Sequence, residues 1–292
     1  MGSVNGKVAL ITGGARGVGA EVARRLLDRG ANLVLTDVDE TALTDIGAEL
    51  GEDRVLTAVA DVRDLAAMQD VVSRATERFG GIDIVIANAG ISTYGSVLKV
   101  DPEAFRTLVD VNIVGVFNTV RAALQSVIDR RGYVLIVSSA AAFAASAGLA
   151  PYNAAKAAVE QFASALRLEV AHQGVDVGSA HMLWIDTPLV QDAKSDLPSF
   201  RKLLEAVPGP LGKTTTVDAC GKAFVKGIEA RKRYIYCPEY VSLLRWFKPL
   251  LATRFGEAGR LKVVAKLLPQ MDAEVEALGR SMSARTQEVE KK

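Results

Sequence analysis

Two side chains in Tyr152-Asn153-Ala154-Ala155-Lys156 have types and spacing suited to moving a proton. On a helix, positions i and i+4 share one face. An isolated tyrosine has a pKa of about 10 and is a poor base at neutral pH, and lowering it by ~3 units takes roughly 4 kcal/mol of preference for the phenolate. A neighbouring ammonium gives a preference of that sign. Taken alone the pair is a weak signal, because solvated helix faces carry it by chance. Its company matters more. Thr12-Gly13-Gly14-Ala15-Arg16-Gly17-Val18-Gly19 follows a compact apolar run. Glycines so placed permit a tight turn whose backbone N–H groups approach a pyrophosphate at a helix N-terminus.

Asp37 closes the second apolar run, 20 residues after Gly17. A carboxylate there can accept both hydroxyls of an adenosine ribose and would repel a 2′-phosphate, which favours NAD over NADP. Arg16 is the contrary signal, since a cation beside the glycines could pair with that phosphate.

These residues need a scaffold, and the apolar pattern supplies one. Residues 8–11, 33–35, 55–59, 82–86 and 133–137 are short aliphatic runs of the kind that form strands buried on both faces. Helical periods cover 17–28, 40–50, 65–79 and 102–129, the last opened by Asp101 as N-cap and Pro102 in the first turn. A helix over 154–172, a strand over 176–183, a helix over 217–230 and a strand over 234–236 follow. Residues 186–210, with Pro188, Pro198, Pro208 and Pro210, are predicted as a mobile loop with short helical pieces. Strands alternating with helices imply right-handed βαβ units. The expected fold is therefore α/β, a single-domain Rossmann-like, doubly wound parallel sheet flanked by helices. Residues 1–238 would form the dinucleotide-binding and catalytic domain, and 239–292 a helical C-terminal extension rather than an independent domain.

Over about residues 4–240 the chain resembles the short-chain dehydrogenase/reductase family. The likeness rests on the Thr12–Gly19 glycine motif, Asp61-Val62, Asn88-Ala89-Gly90, Asn112, Ser138-Ser139, Tyr152-x-x-x-Lys156 and Ile185-Asp186-Thr187. The resemblance implies an NAD(P)-dependent enzyme acting on CH–OH groups, with Tyr152 as general acid/base. Ser139, thirteen residues earlier, would hydrogen-bond the same substrate oxygen, although Ser138 is adjacent and could be mistaken for it. Lys156 would hold the nicotinamide ribose and depress the Tyr152 pKa, and Asn112 would fix a water linking Lys156 to solvent. Gly13, Arg16, Gly17, Val18, Gly19 and Asp37 would bind the dinucleotide, with Asp61 and Val62 at the adenine. Asn88, Ala89 and Gly90 would anchor the central strand ends beside it, and Ile185 with Thr187 would take the carboxamide. The chain departs from the family pattern at Met182-Leu183, where Pro-Gly is usual, and at Ala87, where a second Asn often stands.

Composition bounds the alternatives. The 292 residues are 49% hydrophobic and 24% charged, enough apolar content for a full core and too much for a disordered chain. A net charge of +1 gives no argument for nucleic acid. Cys220 and Cys237 with His172 and His181 are too few for a disulfide framework or a zinc site, so ordinary buried thiols and no metal are expected. Met1-Gly2-Ser3-Val4-Asn5-Gly6 matches neither a signal peptide nor a myristoylation pattern, which suits a cytoplasmic protein. The favoured reading is an NAD-dependent oxidoreductase on a secondary alcohol or ketone, forming a homodimer or homotetramer. A non-catalytic dinucleotide-binding regulator or scaffold is the alternative, but retention of all four of Asn112, Ser139, Tyr152 and Lys156 speaks against it. An epimerase or dehydratase on a sugar nucleotide would need a different glycine spacing and a larger substrate domain. The few fixed polar anchors in 186–210 hint at an apolar substrate.

The C-terminal end is basic: from Arg231 onward it carries 13 Lys and Arg against 7 Asp and Glu. Within 240–255, apolar residues at 240, 243, 244, 247, 250 and 251 share a helical face, with Arg245, Lys248 and Arg254 on the other side. Pro249 is expected to kink or split that helix. The face could pack on the body or on a second subunit, dip Trp246 and Phe247 into an anionic bilayer as a peripheral membrane contact, or cover the substrate pocket as a lid.

Overall fold

The computed structural model describes residues 3–290 apart from 208. Pro208 and the Met1-Gly2 terminus read for targeting therefore lie outside the described residues. Strands β1 (Val8–Thr12), β2 (Asn32–Asp37), β3 (Val55–Val59), β4 (Ile84–Ala87), β5 (Tyr133–Val137) and β6 (Asp176–Met182) follow the apolar runs. Two-residue strands β7 (Trp184–Ile185) and β8 (Thr214–Thr215) pair with each other, and β9 (Tyr234–Cys237) closes the main sheet. That sheet is parallel throughout, in the order β3-β2-β1-β4-β5-β6-β9. Ile11 of β1 aligns with Leu35 on one side and Ile86 on the other. Chain order reverses between β1 and β4, and ligands of such sheets bind in the crevice outside the carboxyl ends of those strands. The glycine turn and Asn88 both start there.

Every residue of β1 and β5 is buried, as runs without polar alternation require. Ala9 and Ile11 face one core with helices α1 (Gly17–Asp28) and α2 (Glu40–Leu50). Val8 and Leu10 face the other with α3 (Leu65–Phe79), α5 (Gly115–Asp129) and α6 (Ala150–Val170). Asp39, Asp64 and Asp101 cap α2, α3 and α4 (Pro102–Val109) by accepting backbone N–H groups of the first turn. The 102–129 run is long and apolar enough to cross a membrane by composition alone, yet half of it is buried in the protein, where α5 packs on α3 and β4.

Four expectations change. First, α6 starts at Ala150, four residues before the predicted helix, because Pro151 at its first turn has a preset φ. Second, the 102–129 helix is interrupted by a π-helical turn at Asp110–Val114, which holds Asn112. Third, 186–210 is mostly regular: α7 (Pro188–Asp196) and α8 (Pro198–Ala206) each open on a proline. Those prolines are helix starts, and a period of under three turns was too short to read as such.

Fourth, the extension differs from its helical-wheel expectation. Beyond α9 (Val217–Glu229), it consists of α10 (Val241–Leu251), α11 (Arg254–Leu278) and α12 (Ala284–Glu290). Pro249 falls in the last turn of α10 and does not split it. The basic side turns inward: the Arg245 guanidinium lies 3.7 Å from the centre of the Tyr234 ring, and Lys248 donates to the Ala142 carbonyl at 3.2 Å. Leu243, Trp246, Phe247 and Leu250 are left exposed. Trp246 and Phe247 are thus not the lid. Instead α11 crosses α8, and its Met271 and Val275 join Tyr94, Leu149, Val190 and Phe200 in a third apolar cluster, against which Tyr152 packs.

Candidate active site

The glycine turn forms because side chains cannot fit it. Gly13 and Gly17 have φ of +61° and +55°, where other residues are strained. A Cβ on Gly13 would lie 2.9 Å from the Ala89 Cα, and one on Gly19 would run into the Gly13 carbonyl oxygen. Asn88 fixes the turn to β4, its Nδ2 donating at 3.0 Å to the carbonyls of both Thr12 and Gly13. Thr12 Oγ1 accepts the amides of Asn88 and Ala89. The result is a side-chain-free cradle at the N-terminus of α1, shaped for a pyrophosphate.

Asp37 stands at the end of β2, where one carboxylate oxygen accepts the Ala15 amide (3.2 Å) and the other the Asp39 amide (3.1 Å). Burial raises its pKa, against the two backbone hydrogen bonds. Arg16 is ion-paired to Asp39, so the cation weighed against Asp37 already has a carboxylate partner. Asp61 lies beyond β3. Burial pushes its pKa up, but the Arg63 guanidinium outweighs that and holds it below the usual value. Val62 is buried and its carbonyl accepts from Asn118. Gly90 is pressed close: a Cβ there would meet Asn112 Oδ1 at 3.2 Å and Lys156 Nζ at 3.4 Å. Gly13, Arg16, Gly17, Val18, Asp37, Asp61, Asn88 and Lys156 line one cleft of about 330 Å³, together with Ser139, Tyr152, Ile185 and Thr187. Thr187 precedes α7 and sits by Gly17, its hydroxyl donating to the Ile185 carbonyl at 3.3 Å, while Ile185 is buried in the β7–β8 ribbon. Where Pro-Gly is usual, Met182 ends β6 and Leu183 forms a bend, its amide donating to the Cys237 carbonyl at 3.0 Å.

At the end of this cleft the two serines separate. Ser138 donates to the Lys156 carbonyl at 3.0 Å and is fully buried, so it braces α6. Ser139 instead accepts the Ala141 amide at 3.1 Å, and its hydroxyl, on the wall of the same cleft as Tyr152, works against the burial that raises the phenol's pKa. Lys156 Nζ donates to the Val137 carbonyl at 3.0 Å and lies 5.6 Å from the centre of the Tyr152 ring. The expected depression of the Tyr152 pKa is absent from the protein alone: burial raises it, and only Ser139 opposes. Burial also pulls Lys156 down to about 8. Burial acts on both groups in the direction that disfavours their charged forms. The Asn112 side chain is held on the backbone of Ile91. Its Oδ1 accepts the Ile91 amide (2.8 Å) and its Nδ2 donates to the Ile91 carbonyl (2.9 Å), so its side chain positions the turn after Gly90.

Two groups of residues at the site escaped the sequence reading. His181, fully buried behind Ser139, pairs with Glu160 at 3.1 Å and lies 3.4 Å from the Ser139 carbonyl. It was weighed only as a metal ligand, although its alternation with Ser179 on β6 was a readable core signal. Tyr94, Asp196 and Arg280 form the other group: Tyr94 donates to Asp196 at 2.6 Å, and Arg280 forks onto both Asp196 oxygens at 2.6 and 2.8 Å. They are 84 to 186 residues apart in pairs involving Arg280, so no local pattern announced them.

The family model described as short chain dehydrogenase matches residues 7–198. An uncharacterized NAD-dependent oxidoreductase of Mycobacterium tuberculosis is 33% identical over 207 residues, 65% of this chain and 75% of that protein. The (-)-trans-carveol dehydrogenase of Rhodococcus erythropolis is 35% identical over 210 residues, 66% of this chain and 76% of its own. Among solved structures, a short chain dehydrogenase from Mycobacterium paratuberculosis bound to NAD superposes with a TM-score of 0.69 at 27% identity, covering 80% of this chain and 96% of that one. The match spans the glycine cradle, the serine pair and the Tyr-x-x-x-Lys helix on the elements where this fold carries them, and the chain belongs to the short-chain dehydrogenase family.

Proposed function

We propose that this protein is an NAD-dependent oxidoreductase that interconverts an apolar secondary alcohol and its ketone. The observation that carries the reading is that Ser139, Tyr152 and Lys156 line one end of a cleft whose other end is the glycine cradle and Asp37. The dinucleotide, when bound, accepts or donates the hydride. The residues supply the rest. Ser139 orients the substrate oxygen, and Tyr152 gives that oxygen a proton in reduction or removes one in oxidation. Lys156 brings positive charge beside the phenol, and Asn112 holds the backbone around Gly90 against Lys156. Ile91, Leu189 and Val190 line the cleft beside Tyr152, which suits an apolar substrate. A panel of alcohols and ketones, long-chain and cyclic ones included, read by NADH and NADPH absorbance in parallel, tests the assignment.

Cofactor choice follows from Asp37. The wild type is expected to prefer NAD, and Asp37→Ala to erode that preference by about ten- to a hundredfold in kcat/KM, the worth of one or two charge-assisted ribose hydrogen bonds. A wild type that prefers NADP would transfer the decision to Arg16.

We propose also a cytoplasmic protein that touches anionic membranes through 240–255, and a homodimer or homotetramer, for which exposed Phe117 and Leu168 on α5 and α6 are available. The membrane reading is favoured by one exposed stripe, Leu243, Trp246, Phe247 and Leu250, with Arg254 and Lys262 exposed nearby. Each basic residue near an anionic surface contributes about 1 kcal/mol. Because α11 packs Met271 and Val275 into the apolar cluster that Tyr152 leans on, deleting the extension would damage the site. The cleaner variant is Trp246→Ala with Phe247→Ala. It should lose most co-sedimentation with phosphatidylglycerol vesicles at low salt while keeping turnover of a soluble substrate. Full-length protein that stays in the supernatant under those conditions refutes the contact.

A further inference from the structure

The last helix of the chain belongs to the cofactor cleft. After α11 ends at Gly279, in the left-handed conformation, the chain runs back across the molecule. Arg280 locks onto Asp196 and Tyr94, and the Tyr94 amide donates to the Ser281 carbonyl at 2.9 Å. Met282 forms an antiparallel bridge with Thr93, and Ser281 and Met282 are buried. These contacts tie the loop after β4 to α7, the two walls of the cleft. They deliver α12 to its mouth, where Arg285, Thr286 and Val289 line the same cavity as Gly13, Asp37 and Thr187. A second, polar cavity lies between α12 and the lip formed by Arg16 and Asp39, with Arg285 and Glu288 on its α12 side.

We propose that Arg285 is a cofactor-binding residue, held by the C-terminal clasp to pair with the pyrophosphate from the face opposite the glycine turn. The inference rests on the reading that the cleft binds NAD. A pyrophosphate carries two negative charges, and the cradle offers it backbone N–H groups only. Of the other arginines lining the cleft, Arg16 is ion-paired to Asp39 and Arg63 to Asp61. Arg285 is held at 3.2 Å by Asp192, and its side chain is 44% exposed. An exposed ion pair of that kind is weak and readily exchanged for a bidentate contact with a dianion. Glu288, one turn further on, lines the outer cavity and not the cleft that holds Gly13 and Tyr152, so it leaves the Arg285 charge available there.

The test is NADH fluorescence titration of purified full-length protein. Arg285→Gln should raise the NADH Kd about tenfold, the value of one charge-assisted hydrogen bond. Arg285→Lys should recover part of the loss. Asp192→Asn separates direct binding from mere pinning of α12: it should leave the Kd unchanged or lower it. An Arg285→Gln variant with the wild-type Kd, or an Asp192→Asn variant weakened as much as Arg285→Gln, overturns the proposal. A wild type that binds neither NADH nor NADPH removes the cofactor reading itself, and the two failures are thereby distinct.

Discussion

Replacing Tyr152 by Phe should lower kcat by about 10³-fold while leaving NADH affinity within about a factor of two, since general acid–base groups contribute 10²–10⁴-fold and the ring itself is retained. The hydroxyl is the only group removed, and it shares the cleft with Ser139 and Lys156. The ring packs against the third apolar cluster, which Phe preserves. Burial holds the phenol protonated at neutral pH, its pKa above the ordinary value. Reduction, which needs the acid form, should therefore be nearly flat with pH through neutrality. Oxidation, which needs the phenolate, should climb with pH, and both dependences should vanish in the variant. A purified Tyr152→Phe protein with substantial turnover removes Tyr152 from the mechanism.

The scaffold was legible because its signals are local. Aliphatic runs with no polar alternation can only be strands covered on both faces, and β1 and β5 are buried at every position. Glycines that a Cβ would disable announce the cradle, and the spacing from Tyr152 pointed to Ser139 over Ser138, whose hydroxyl donates to the Lys156 carbonyl. What escaped was long-range or a balance of opposing forces. The clasp joins Tyr94, Asp196 and Arg280 across the whole chain. The inward turn of Arg245 depends on the ring of Tyr234, a contact that a helical wheel does not contain. The Tyr152–Lys156 spacing shows proximity but not dryness, and burial reversed the expected sign of the tyrosine shift.

That dryness leads to the second large effect. Lys156→Met should cost on the order of 10²-fold or more in kcat/KM, by removing the charge beside the phenol. It should also remove a pH dependence of stability from the protein without cofactor. Burial lowers the folded-state pKa of Lys156 to about 8, whereas an unfolded lysine titrates near 10.4. Between those values the unfolded chain holds a proton that the native one lacks, so stability rises with pH through that window. The rise amounts to about 3 kcal/mol, because each pKa unit is worth 1.36 kcal/mol. Below pH 8 the native protein carries the full cost of a buried ammonium, which Met avoids while losing the hydrogen bond to Val137, worth about 1 kcal/mol. Lys156→Met should then be the more stable protein near pH 7 by about 2 kcal/mol and the less stable one above pH 10. All other lysines and tyrosines titrate in both proteins and cancel in the comparison. Thermal unfolding of the two across that range should give melting curves whose order reverses. Parallel dependences on pH would mean that Lys156 is solvated in solution and that its charge is not held in a dry site.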